Sequence, residues 1–401
     1  MSMRPLLYLV HRIPYPPNKG DKVRSFNLLK SLSNKYDVHL GAFVDSSDDW
    51  QYAEKLNKYC KQVKLEKLRP GLSKLKSLKG FFTGDALSVQ YYKSYSFQKW
   101  VNETIENYDI EHVVVYSSTM AQYVSGDSKE KIHRRVADFV DVDSDKWRQY
   151  SMNKNPPMSW VYQREARKLL EYEQNIAKTF NATLFVSKAE MLDFNKISPA
   201  SNHQHGFYNN GVDTEYFDPA LNHINPYEPG VEPIVFTGAM NYWANIDAVT
   251  WFAKQIFPGI KKNYPNVRFY IVGISPADEV RKLEKNPDII VTGKVDDIRP
   301  YIRHASIIVA PLRIARGIQN KVLEAMAMSR PIVATKSALD GISLCENYAP
   351  YCANDESDFI DKCTYILKQP IEQRMVTEAR KCLLDNYNWD KNLQVLDGYL
   401  N

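Results

Sequence analysis

Lys321 and Glu324 stand about one helical turn apart in the stretch RIARGIQNKVLEAMAMSRPIVAT, residues 313–335. An ammonium and a carboxylate thus lie just behind a loop that carries Arg316, Gly317, Ile318, Gln319 and Asn320. The apolar run ASIIVAP, residues 305–311, reads as a buried strand that stops at Pro311. Val322, Leu323, Met326 and Ala327 then recur at the spacing of one helix face, and RPIVAT begins another strand. Where such a loop feeds a helix, the first backbone N–H groups have no partners and the positive dipole end points outward, which suits an anion. Arg316 and Lys321 add full charges, so a phosphate is expected. Glu324 shares the face of Lys321 and tolerates phosphate oxygens poorly, but it accepts well from hydroxyls. A nucleotide sugar resolves the conflict: Lys321 and the loop amides would hold its diphosphate, and Glu324 its ribose.

The elements that must position these groups follow from the patterning. PLLYLVH, VHLGAFV, EHVVVYS, RRVADFV and ATLFVS are short apolar runs, separated by helix-like stretches such as DKVRSFNLLKSLSNK. A second series, PIVFTGAM, VRFYIVG, DIIVTGKV, ASIIVAP and RPIVAT, alternates with stretches such as NIDAVTWFAKQIFPGIKKN. Strands alternating with helices imply two doubly wound parallel sheets, with ligands at the carboxyl ends of the strands. The chain of 401 residues, 44% hydrophobic, can bury two such cores. Residues 208–233 are rich in Pro, Asn and Gly and read as the connection between them.

A formal charge of +5 is too mild to indicate nucleic acid, and no zinc spacing or helix-turn-helix signature is present. Five cysteines, at 60, 345, 352, 363 and 382, form no C-x-x-C pair and are expected to be free thiols. The opening MSMRPLLYLVHRIPYPP is too short in apolar residues for a signal peptide, and no run of about 18 apolar residues occurs. A cytoplasmic protein, peripheral at most to a membrane, is expected. One segment bears on that. Residues 61–85 carry Lys61, Lys64, Lys67, Arg69, Lys74, Lys76 and Lys79 against Glu66 and Asp85, interleaved with Leu72, Leu75, Leu78, Phe81 and Phe82. That composition suits an anionic lipid surface.

NGVDTEYFDP, VFTGAM, VTGKVDDIRPYIRHASIIVAPL and KVLEAMAMSRPIVAT together resemble the C-terminal half of family 4 glycosyltransferases of the GT-B fold. With VHRIPYPPNKGDKVRS, DFVDVDSDKWRQY and FTGAMNYWANIDAVTWF, the chain resembles the sugar transferases of exosortase-linked exopolysaccharide systems in bacteria. The resemblance implies two Rossmann-like domains facing a central cleft. Residues 1–207 would bind the acceptor and 208–383 the nucleotide sugar, with a helix over 384–401 crossing back to the first domain. It implies that Glu324 is the second glutamate of an E-x7-E motif, holding the ribose. The first would fall at 316, where this chain has arginine, suited to the diphosphate or to a carboxylate on an acidic donor sugar. Gly317, Ile318, Gln319 and Asn320 match the loop whose amides approach the donor. Gly238 matches the glycine after the first strand of the nucleotide domain, and Val295 the position whose backbone meets the base.

In the first half, PYPPNKGDKVR places Gly20 where a backbone can approach a ligand, with Asp21, Lys22 and Arg24 at the start of the next helix. The equivalent loop of the family faces the donor phosphates, so Gly20 is expected on the donor and Lys22 and Arg24 on the acceptor side. DFVDVDSDK carries Asp138, Asp141, Asp143 and Asp145, and its D-x-D pattern invites a metal reading. GT-B transferases generally use protein cations and a helix dipole instead. No metal or other cofactor is therefore expected, Asp138 and Asp141 are expected near the acceptor hydroxyl, and Asp143 and Asp145 as helix caps. The implied reaction is transfer from a nucleoside diphosphate sugar to a glycan or lipid-linked acceptor with retention of configuration. A nucleotide-sugar epimerase of the same fold and a non-catalytic nucleotide-sugar-binding subunit are the alternatives.

Overall fold

The computed structural model describes residues 3–17, 20–125, 131–152, 154–198, 204–315, 318–342, 351–369 and 373–401. Contacts divide the chain into two units, Met1–Tyr208 with Asp390–Asn401, and Asn209–Trp389.

The first unit holds a seven-stranded sheet in the order β3-β2-β1-β4-β5-β6-β7. Its strands are β1 (Arg4–Val10), β2 (Tyr36–Val44), β3 (Gln62–Lys67), β4 (His112–Tyr116), β5 (Arg134–Val140), β6 (Ala182–Phe185) and β7 (Gln204–Phe207). Every pairing is parallel. In β1 the residues Leu6 to Val10 are wholly buried, as a strand covered by helices on both faces requires. β3 and β7 are the edges. Their sequences, QVKLEK and QHGF, lack the apolar run that marks an interior strand, which is why periodicity passes over them. The C-terminal segment packs on this sheet: Lys35 Nζ lies 2.6 Å from Asp397, and Arg134 Nη2 donates to the Asn401 carbonyl at 3.0 Å.

The second unit repeats the plan with six strands in the order β10-β9-β8-β11-β12-β13. These are β8 (Glu232–Thr237), β9 (Val267–Val272), β10 (Ile289–Gly293), β11 (Ile307–Ala310), β12 (Ile332–Thr335) and β13 (Tyr351–Ala353), again all parallel. The helical stretch expected over 245–263 is interrupted by a π-turn at Phe252–Ile256, just before Pro258. A proline has no N–H to donate and its ring crowds the carbonyl four residues back, so the helix widens there.

Both sheets reverse strand order between their first and fourth strands, β1/β4 and β8/β11. Outside the carboxyl ends at such a reversal lies a crevice that neighbouring loops cannot fill, the usual place for a ligand. Among the described residues no helix is long and apolar enough to cross a membrane. Cys60, Cys352 and Cys363 are free, but Cys382 is disulfide-bonded, which corrects the expectation of free thiols throughout. Spacing in sequence cannot reveal a bridge that the fold closes.

Candidate functional site

In the second unit the reversal is flanked by the end of β8 and by the loop after β11, which enters the helix Asn320–Ala327. Gln319 begins that helix in an extended conformation and makes no side-chain cap to it. Lys321 lies in its first turn, half-buried, and donates to Asn245 Oδ1 at 3.2 Å. Its Nζ also sits 4.9 Å from the centre of the Phe236 ring. Asn245 is fixed in turn, donating from Nδ2 to the Ala239 carbonyl at 2.9 Å. Gly238, with φ +156°, passes so close that a Cβ there would lie 2.7 Å from Asn245 Nδ2. Behind it runs Gly273, where a Cβ would lie 1.7 Å from the Gly238 carbonyl oxygen. Two glycines thus let the β8 and β9 loops pass in contact, and this holds Asn245 against Lys321.

Burial pushes the Lys321 ammonium down to about 8, with Glu324 opposing the shift. Burial pushes the Glu324 carboxyl up to about 7, with Lys321 opposing. No side-chain hydrogen bond of Glu324 is made among the described residues, and Asn320 Oδ1 is buried without a partner. A cation, a carboxyl group and a buried acceptor without a partner thus stand within the first two turns of one helix, and polar ligand atoms would supply the missing partners. Ile318 is buried, Gln319 half-buried, and Val295 packs at the edge of the second core. Arg316 and Gly317 lie outside the described residues. Arg313 is engaged elsewhere, paired with Asp247.

In the first unit His11 directly follows β1 and Tyr116 ends β4, and these rings stack at 5.8 Å between centroids, tilted by 4°. His11 Nε2 is 3.8 Å from Asp21 Oδ2, and burial lowers its pKa against the pull of that carboxylate. Gly20 opens the helix α1 (Gly20–Ser33), with nothing within 4 Å of where its Cβ would be, so no packing within the chain demands glycine there.

Three expectations require correction. Arg24 and Asp138 are wholly buried and bonded to one another, Nε to Oδ2 at 3.1 Å and Nη2 to Oδ1 at 3.2 Å. Arg24 also donates to the Tyr208 and Phe185 carbonyls and lies 3.6 Å over the Tyr208 ring, while Asp138 accepts from the Tyr208 hydroxyl and the Val140 amide. Neither side chain has capacity left for an acceptor. Their pair joins the start of α1 to β5 and to the end of β7, which is a structural task. Lys22 is likewise buried, 2.7 Å from Asp49. Asp141 and Asp143 share Lys146, at 2.8 and 3.1 Å, and both keep partial exposure. Asp145 pairs with Arg148. The first turn of the helix Asp143–Met152 is held instead by Glu173, which accepts from the Ser144 amide and hydroxyl at 3.3 and 2.5 Å. Burial raises the Glu173 carboxyl to about 8, with Asp143 adding to the shift. Asn245, His11 and Glu173 escaped the sequence reading. The first two lie inside the quoted motifs: His11 is the polar residue directly after β1, and Asn245 is the polar residue in the first turn of the helix Trp243–Trp251 that follows β8.

Residues 232–369, which span β8 to β13, match the family model described as glycosyl transferases group 1. No curated protein matches the chain. Among solved structures it is similar to HepE of Anabaena in complex with UDP and glucose, at 13% identity over 98% of this chain and 99% of that one, with a TM-score of 0.64. Sucrose-phosphate synthase from Thermosynechococcus elongatus gives 15% identity, 98% of each chain and a TM-score of 0.68. A mutant TarM of S. aureus in complex with fondaparinux, alpha-GlcNAc-glycerol and UDP gives 12% identity, all of both chains and a TM-score of 0.65. These likenesses over the full length show the fold, which is GT-B: two Rossmann-like domains in one chain.

Proposed function

We propose that the protein is a glycosyltransferase that moves a sugar from a nucleoside diphosphate sugar to a glycan or lipid-linked acceptor. Its resemblance to family 4 enzymes of exosortase-linked systems makes bacterial exopolysaccharide synthesis the setting. The observation that carries the reading is the Lys321–Asn245 pair at the strand-order reversal, with Glu324 about one turn further on, inside the segment that matches glycosyl transferases group 1. Lys321 and the amides at the start of its helix would hold the diphosphate and stabilise the charge that grows on it as the glycosidic bond breaks. Glu324 would accept from the ribose hydroxyls, and Val295 would border the base. Retention would let the departing phosphate take the acceptor proton, so no protein nucleophile is needed. On the acceptor side His11, Asp21 and Asp141 replace Asp138 and Arg24 as the groups able to touch a ligand. HepE and TarM were each solved with UDP, which makes UDP-sugars the first donors to try.

Release of nucleoside diphosphate from a panel of nucleotide sugars, with and without a glycan acceptor, tests the reading. Release that quickens with acceptor is the expected result. A product formed at the same rate without acceptor would indicate the epimerase, and binding with no turnover the non-catalytic subunit.

A further inference from the structure

Two short helices of the first unit, α2 (Pro70–Ser77) and α3 (Gly80–Thr83), are turned the wrong way round for a water-soluble surface. Ser73, Ser77 and Gly80 recur at the spacing of one helix face, and it is this small, polar face that the fold buries. The opposite face carries Leu72, Leu75, Leu78, Phe81 and Phe82, all exposed in the full chain, Leu75 by 66% and Phe82 by 92%. An ordinary surface helix buries its leucines and exposes its serines. Five neighbouring apolar side chains left in water mark a surface that something covers.

The charges around the patch name the occupant. Lys67, Arg69, Lys74, Lys76 and Lys79 are all exposed, and none forms an ion pair among the described residues. Unpaired lysines alternating with leucines suit a surface that is anionic outside and apolar just beneath, since the long stems can lie along the apolar side chains while the ammonium groups reach outward. A protein partner would need carboxylates matched one by one to these flexible cations. The start of the helix Met158–Thr179 extends the patch. Arg164 donates to the Gly80 and Asp85 carbonyls and lies 4.7 Å over the Phe81 ring, and Trp160, one turn earlier, is 66% exposed. An exposed tryptophan beside leucines and lysines is the composition of a membrane–water interface.

We propose that α2, α3 and the first turn of the helix Met158–Thr179 dock the protein on an anionic lipid surface. Leu72, Leu75, Phe82 and Trp160 enter the headgroup boundary, and Lys74, Lys76 and Lys79 face the phosphates. This surface is independent of the donor site, so failure of nucleotide binding would leave it standing.

The test is co-sedimentation of the full chain with phosphatidylcholine vesicles, with and without phosphatidylglycerol. Expected is binding to the anionic vesicles only, weakened by salt. The triple variant Lys74→Glu, Lys76→Glu, Lys79→Glu should lower the partition by roughly 100-fold, and Leu75→Ser with Phe82→Ser should abolish it even at low salt. Both variants alter exposed side chains, and an unchanged melting temperature confirms that they fold. Equal binding to neutral vesicles, insensitivity of the unmodified protein to salt, or undiminished binding by the triple variant would overturn the proposal. So would a concentration-dependent dimer that Leu75→Ser dissolves, since the face would then be covered by a second copy.

Discussion

The proposed role of Lys321 and Glu324 predicts that affinity for a nucleoside diphosphate sugar traces a bell against pH, with its maximum between these two perturbed groups. Lys321 starts at about 8 in the protein alone because burial disfavours its charge. A diphosphate beside it favours the charged form and returns it toward the ordinary value of about 10.5. Binding then takes up a proton above that pKa, and linkage makes affinity fall roughly 30-fold between about pH 7 and pH 9.5. Glu324 works in the opposite sense. Its carboxyl stands at about 7 in the protein alone, and hydroxyl donors favour its ionised form. Binding releases that proton, so affinity should rise roughly 20-fold from about pH 5.5 to pH 7.5. Calorimetric titration across this range measures both limbs. Lys321→Met should lose the alkaline limb and Glu324→Gln the acid limb, and subtracting each variant from the unmodified protein cancels any titration of the ligand. A flat profile, or an alkaline limb that survives in Lys321→Met, would refute the reasoning.

Other perturbations separate scaffold from site. Asp138→Ala leaves the Arg24 charge buried without its partner and should cost about 3–5 kcal/mol in urea unfolding; an unchanged midpoint would contradict the structural role given to the pair. Glu173 has a folded pKa of about 8, above its unfolded value of about 4.5, so its stabilisation is complete below the lower figure and lost as pH rises to the higher. Unfolding measured from pH 4.5 to 8 should show up to about 5 kcal/mol of this loss, absent in Glu173→Gln. Gly273→Ala sets a methyl against the Gly238 carbonyl and should lower both the melting temperature and nucleoside diphosphate affinity, whereas Gly20→Ala, facing open space, should leave the melting temperature unchanged.

The contrast between those residues shows what the sequence could disclose. β1, β2, β4 and β8 announce themselves because strands covered on both faces must be continuously apolar, while β3 and β7, at an edge, need not be. Lys321 and Glu324 could be singled out in the sequence because they stand within one helical turn, just behind a glycine-containing loop at a helix start, and the donor-site role proposed for them rests on that local pattern. Arg24 and Asp138 are 114 residues apart, and nothing local says that the fold will close them on each other and remove both from solvent. The aspartates of DFVDVDSDK look equivalent in sequence, and only burial separates Asp138 from Asp141. In KLRPGLSKLKSLKGFF the mixture of lysine and leucine was visible. Which face turns outward was not, because Ser73 and Ser77 share the periodicity of Leu72 and Leu75.

The central claim is that Lys321 and Glu324 hold the diphosphate and ribose of a donor nucleotide, and titration of the unmodified protein, Lys321→Ala and Glu324→Ala with UDP and with a UDP-sugar tests it most directly. Loss of one charge-assisted hydrogen bond should weaken binding of both ligands to Lys321→Ala by roughly 10- to 150-fold. Glu324→Ala should weaken both and Glu324→Gln less, since the amide keeps one acceptor oxygen. Tight binding by the unmodified protein, with unchanged affinity in both alanine variants, would contradict the account.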